Sequence, residues 1–363
     1  MPPRSQANYR GAVLRRSVSA FFVLGVSLVT ALPVSAASDP CGASNTAAAC
    51  LASLPTETQI AAAISSAHGL TNLPTTSPSL AYLASTSTGP RSFFMPAGRC
   101  NQVAQMADAP PPSIKDCTFG KANAAPGRTI FLTGDSRAVM WTTTVARLAT
   151  VNQMRLVVMA KPGCVSQTGS LTYMNVPGRP GPWTACDKFR SAVMSAVSSL
   201  QPALIVVASN PTASLADGRR TSTQPQLGHD NTLSYLTQLR NRAPNAGLAA
   251  LVSFPLVTGI SGSANPVACL SAHRAQVSAC DVRPRAGSGD DAVGTATSLA
   301  ASEAGFTTVS QRAWLCDTTC PAVINGMIPY DREGMHINNT YSASLMGVLW
   351  RKLAAVPHSP LSI

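Results

Sequence analysis

The residues with the types and surroundings for chemistry gather around one serine. An apolar run, Thr129–Thr133, ends at Gly134-Asp135-Ser136, and a helical pattern starts at Ala138 and runs through Trp141, Val145 and Leu148. A serine at a strand-to-helix turn projects its hydroxyl from the sheet edge, and its N–H lies at the positive end of the following helix. Such a serine can be a nucleophile; it can equally belong to a helix cap, where Asp and Ser are favoured. Gly163 and Asn210 follow two further apolar runs, Met154–Ala160 and Ala203–Ser209. On one rim, the N–H groups of Ser136 and Gly163 and the Asn210 amide would be three donors for a developing oxyanion. Taken singly, Gly163 reads as a turn glycine and Asn210 as a turn or cap residue before Pro211.

A serine nucleophile needs a base. Of the five histidines, His68 falls in an N-terminal helical pattern, His273 between Cys269 and Cys280, and His358 in the tail. His229-Asp230 is a possible pair that could also cap the next helix. His336 has two acids just upstream, Asp331 and Glu333, and a helical pattern starting just after it. Glu333, three residues before the imidazole, is near enough in a turn to orient it, and Asp331 is the second candidate. No CxxC pair, HExxH or other metal-ligand spacing is present, so the expectation is no metal and no cofactor.

These residues must be positioned by a scaffold, and the chain supplies an alternation of elements from residue 128 onward. Strands are expected over Thr129–Thr133, Met154–Ala160, Ala203–Ser209, Leu248–Leu256 and Phe306–Val309. Helices are expected over Ala138–Ala149, Asp187–Leu200, Asn231–Arg242, Ala292–Ala304 and Asn339–Leu353. Continuous apolar strands separated by helices imply an α/β fold, with a mostly parallel sheet covered on both faces. In such sheets function collects at the carboxyl ends of the strands. Upstream, Thr58–Leu70 reads as a helix, Leu73–Pro90 as an extended surface segment and 258–291 as loop. The expected organisation is 1–36 leader, 37–127 N-terminal appendage, 128–357 domain and 358–363 tail.

The 363 residues are 45% hydrophobic, enough for a sizeable core, and only 12% charged. Arg4, Arg10, Arg15 and Arg16 precede an apolar run over 17–34 and a small-x-small pattern at Val34-Ser35-Ala36. This reads as a secretory signal or, given the length of the run, an uncleaved anchor. Without these four arginines the net charge falls from +12 to about +8. No basic cluster carries interleaved aromatics, which argues against nucleic acid. The ten cysteines fall in five sequence-adjacent pairs: Cys41 and Cys50, Cys100 and Cys117, Cys164 and Cys186, Cys269 and Cys280, Cys316 and Cys320. In an exported chain this pattern favours five local disulfides, although spacing alone does not settle connectivity.

Gly134-Asp135-Ser136 after a strand, Asn210 after a later strand and an acid ahead of a C-terminal His resemble the SGNH (GDSL-type) hydrolase superfamily. The similarity is to the extracytoplasmic SGNH domain fused to acyltransferase-three membrane acyltransferases. It rests on Gly134–Ala138 with Trp141, Lys161–Cys164, Cys186 with Phe189-Arg190, and Gln201–Val207. Cys269-Leu270, Cys316 to Cys320-Pro321, Tyr330 and His336, and the upstream Leu73-Pro74 and Pro78–Leu80 extend it over roughly 60–355. The resemblance implies a three-layer α/β/α, flavodoxin-like fold and a triad of Ser136, His336 and Glu333 or Asp331. It further implies O-acyl, in the first instance acetyl, chemistry on cell-envelope glycans or glycolipids. The usual acid is an Asp three residues before the His, whereas here Glu333 holds that place. The multi-span acyltransferase part is not in this sequence, so the expectation is either a stand-alone exported version or one that works with a separate membrane acyltransferase. The rival readings are a non-catalytic envelope-binding module and a lipase or thioesterase for longer acyl chains.

Overall fold

The computed structural model describes residues 41–42, 46–85, 111, 113–125, 127–172, 181–257, 266–284, 291–331 and 334–363. The expected leader lies outside them. No described helix is long and apolar enough to cross a membrane.

The centre is a six-stranded sheet. Its strands are β1 (Thr118–Gly120), β2 (Thr129–Gly134), β3 (Arg155–Ala160), β4 (Leu204–Ala208), β5 (Gly247–Val252) and β6 (Thr307–Ser310). They lie in the order β1-β3-β2-β4-β5-β6; β1 is antiparallel to β3 and every other pair is parallel. The strand order reverses at β2, so the crevice between the ends of β2 and β4 is the switch point at which doubly wound sheets place their sites.

The strands are apolar throughout because both faces are covered. Ile130, Leu132, Leu156, Val158 and Val206 bury into one core layer, and Phe131, Val157, Met159, Ile205 and Val207 into the other. The first layer is closed by α4 (Ser136–Val151), α9 (Asn339–Ser344), α10 (Met346–Ala354) and α2 (Glu57–Ala67), and the second by α5 (Thr184–Leu200), α6 (Pro225–Arg242) and α8 (Ala292–Glu303). This is the three-layer α/β/α arrangement expected from the alternating pattern. The helix starts follow their caps: Thr56 and Gln59 form a capping box on α2, Asp291 accepts from Gly294 N at 2.9 Å, and Asn338 accepts from Tyr341 N at 3.0 Å.

Several boundaries differ from the sequence expectation. The sheet does not start at 128, because β1 lies in the stretch read as lead-in and pairs with β3. The 73–90 segment read as extended contains α3 (Leu80–Ser85), and the 258–291 segment read as loop contains α7 (Pro266–Ala272). Leu80 and Leu83, one turn apart, bury against Val267 and Leu270, and that mutual burial stabilises two helices too short to be recognised by periodicity. The last helix is two, broken at Leu345. The tail is not free: Leu361 joins the core and Trp350 Nε1 donates to Ser362 O. Disulfides link Cys41 to Cys50, Cys164 to Cys186, Cys269 to Cys280 and Cys316 to Cys320. Cys100 lies outside the described residues.

β2 and β4 meet so closely at Gly134 that no side chain fits. A Cβ there would lie 1.8 Å from Ala208 O, and the residue has φ +144°. Gly134→Ala is expected to cost roughly 2–5 kcal/mol through overpacking and backbone strain, read as a fall in the urea midpoint at constant m.

His68, at the end of α2, bonds Asp281 Oδ2 through Nδ1 at 2.8 Å and Asp317 through Nε2 at 3.0 Å. It thereby ties α2 to residues beside two disulfides. Burial alone would lower its pKa, but the Asp281 hydrogen bond and the charges of both carboxylates outweigh burial and raise it above the ordinary 6.5. A raised folded-state pKa gives stability that is full below the unfolded-state value and lost as pH climbs through the folded one. His68→Gln is therefore expected to lower Tm more at pH 5 than at pH 8.

Candidate active site

The register of the sheet brings the chemistry together. Gly134 stands beside Ala160 on one side and Ala208 on the other. Ser136, Gly163 and Asn210 each lie two or three residues past these positions, so they share one rim. Asp135 caps α4: its Oδ1 accepts from Arg137 N at 2.9 Å, and its Oδ2 accepts from Asn210 N, also at 2.9 Å. One buried carboxylate thus joins the turn that carries Ser136 to the turn that carries Asn210. Burial raises the pKa of Asp135, and the Arg137 charge and these two N–H donors oppose that rise.

Gly163 is held by its neighbours. Lys161 N donates to Gly134 O at 3.0 Å, Cys164 N closes a turn onto Lys161 O at 2.9 Å, and the Cys164–Cys186 disulfide ties the loop to α5. Gly163 has φ +77°, which a side chain would resist. Ser166 N donates to Ser209 Oγ at 2.8 Å and links the same loop to the end of β4. Asn210 Oδ1 accepts from Thr212 N at 3.1 Å and Thr212 Oγ1 at 3.0 Å. Its carbonyl is therefore committed to the loop, and among the described residues Nδ2 has no acceptor.

His336 arrives from the other end of the chain. Its Nε2 lies 2.8 Å from Ser136 Oγ and its Nδ1 lies 2.8 Å from Asp331 Oδ2. His336 is 9% exposed and Asp331 3%, while Ser136 is half-buried. Asp331 reaches across five residues because the chain turns back on itself. Tyr330 pairs with Ile337, Asp331 N donates to His336 O at 2.9 Å, and Asp331 Oδ1 accepts from Met335 N at 3.0 Å. Asn338 anchors the turn through Nδ2 to Ile328 O. Glu333, the other acid considered, lies outside the described residues. His68 is engaged by Asp281 and Asp317, and His229 by Asp230 on α6.

The linking role of Asp135 was not visible in the sequence, where it read only as part of a turn; its cap position was the available signal. Arg137, buried beside the site and 5.0 Å from the Phe254 ring centroid, carried no signal of its own. Among the described residues, no group of three or more His, Cys, Asp or Glu could hold a metal ion.

No curated protein sequence matches the chain significantly. Among solved structures, it is similar to the lipopolysaccharide acetyltransferase periplasmic domain of Salmonella ser. Paratyphi A. The TM-score is 0.46 at 13% identity, over 62% of this chain and 83% of that one. A family model, the SGNH domain fused to AT3 domains, matches residues 99–351. With a model that spans more than two thirds of its length, the chain belongs to this SGNH domain family.

Proposed function

We propose that this protein is a serine esterase or O-acyltransferase that handles short ester-linked acyl groups on cell-envelope glycans or glycolipids. One observation carries the reading: the His336 ring lies 2.8 Å from Ser136 Oγ on one side and 2.8 Å from Asp331 on the other. Ser136 Oγ attacks the ester carbonyl carbon as its proton passes to His336 Nε2. The C–O bond to the leaving alcohol then breaks, and His336 returns the proton to that alcohol. An acceptor hydroxyl, from water or a glycan, gives its proton to His336 as its oxygen bonds the acyl carbon; the Ser136 Oγ–acyl bond then breaks and His336 returns the proton to Oγ. Asp331 holds Nδ1–H and supports the imidazolium. The N–H groups of Ser136 and Gly163 and the Asn210 Nδ2 serve as oxyanion donors.

The four disulfides among the described residues and the N-terminal leader pattern support an extracytoplasmic location. Membership of a family whose domains occur fused to AT3 domains supports a membrane acyltransferase as partner, one that would deliver the acyl group. Hydrolysis and transfer pass through the same acyl-enzyme, and the acceptor admitted at the rim distinguishes them.

Ser136→Ala is expected to abolish turnover of 4-nitrophenyl acetate and labelling by a fluorophosphonate; activity that survives in the variant would sink this nucleophile, and a wild type with neither property would point to a binding module. Asp331→Asn should lower kcat by up to about four orders of magnitude, and Glu333→Gln by far less; the reverse order would move the acid to Glu333. Asn210→Ala is expected to lower kcat roughly 10²–10³-fold with little change in KM, since its amide acts on the oxyanion.

A further inference from the structure

Behind Asn210 lies a cavity of about 40 Å³ that the triad does not use. It sits under the carboxyl ends of β4 and β5 and is closed by α6 and α8, with Arg137, Gln167, Asn210, Thr232, Ala250 and Ala301 in its wall. Three of its polar atoms are buried without a hydrogen-bond partner among the described residues: Arg137 Nη2, Gln167 Oε1 and Thr232 Oγ1. Arg137 is 4% exposed. Its guanidinium does not hydrogen-bond Asp135, whose two oxygens are taken by the main-chain N–H groups of Arg137 and Asn210. Burial lowers the Arg137 pKa to about 10, which leaves it cationic at neutral pH.

A buried cationic N–H without an acceptor is costly, and an anion in the cavity would satisfy it. One water needs roughly 10–15 Å³ of such space, so the cavity takes about three heavy atoms, the size of a carboxylate. The geometry points to a subsite for a carboxylate at the far end of the acyl group, so that the protein handles half-esters of short dicarboxylic acids, such as a succinyl group. This assignment rests on the acyl-ester reading above. Ser136 does not line the cavity, but Asn210 belongs to both the cavity wall and the proposed oxyanion rim, so an acyl group bonded at Ser136 would extend past Asn210 towards Arg137. Thr232 donates its hydroxyl to the same carboxylate. Gln167 Nε2 donates to Pro211 O at 2.8 Å, which fixes that side of the cavity wall.

The test compares 4-nitrophenyl hemisuccinate with 4-nitrophenyl butanoate, which is similar in length but uncharged, using the full chain. The wild type is expected to favour the hemisuccinate at least tenfold in kcat/KM. Arg137→Gln should cut that ratio at least tenfold, mainly through KM. Ala301→Leu, which fills the cavity from α8 without touching the arginine, should cut it in the same direction and serves if the arginine variant does not fold. A wild type that favours the butanoate, or a ratio unchanged in the variants, overturns the subsite. Succinate binding is read separately by calorimetry on Ser136→Ala. Binding that Arg137→Gln abolishes upholds the carboxylate site even if neither ester is turned over, a result that would instead remove the esterase reading. Absence of succinate binding in a protein that hydrolyses both esters equally removes the subsite alone.

Discussion

The carboxylate of Asp135 is the constraint on which the candidate site depends. It is buried just past the close approach of Gly134 to Ala208, and its two oxygens accept from Arg137 N and Asn210 N. Removing a carboxylate from water is unfavourable unless its lone pairs are satisfied, and here two main-chain donors from different loops satisfy them. The same bonds fix the start of α4, and therefore Ser136, relative to the loop of Asn210. Gly134 makes this approach possible, because a Cβ there would overlap Ala208 O.

The other half of the site depends on how α4 meets α9. Ser342 donates to Met140 O at 3.0 Å and bonds Thr144, so the helix that follows His336 is registered against the helix that follows Ser136 by buried polar contacts. Asn338 caps α9 and simultaneously holds the Tyr330–Ile337 turn. The imidazole reaches a serine 200 residues away because these contacts leave it few alternatives. Trp141 adds to the same layer, donating to Gln311 Oε1 at 2.8 Å and packing edge-on against Trp314. Buried polar pairs of this kind are costly when half satisfied, and that cost is what makes one arrangement of the two helices unique.

The disulfides lie at the edges of this arrangement. Cys164–Cys186 pins the Gly163 loop to α5, and Cys316–Cys320 closes a tight loop close to Tyr330, whose hydroxyl lies 3.6 Å from Cys316 Sγ. Short loops restrict the unfolded chain only modestly, so their larger effect is to hold site-bearing loops. The lead-in helices contribute in another way: Ile60 and Ile64 of α2 fill the core layer shared with α4 and α10, which makes that segment part of the folded body.

Residue chemistry and hydrophobic period were enough to read the parallel sheet and to place Ser136, Gly163 and Asn210 at the ends of its strands. Those features are local: a buried strand is a continuous apolar run, and its last residue is where the rim begins. The surroundings of His336 were not local. The turn folds Asp331 back onto the ring through Tyr330–Ile337 pairing, which no sequence period encodes, and Glu333 lies outside the described residues. The role of Asp135 as a link, and the Arg137 Nη2 that has no acceptor among the described residues, likewise exist only once β2, β4 and β5 lie side by side. Burial and hydrogen-bond satisfaction are properties of neighbours far apart in the chain, so folding alone assigns them.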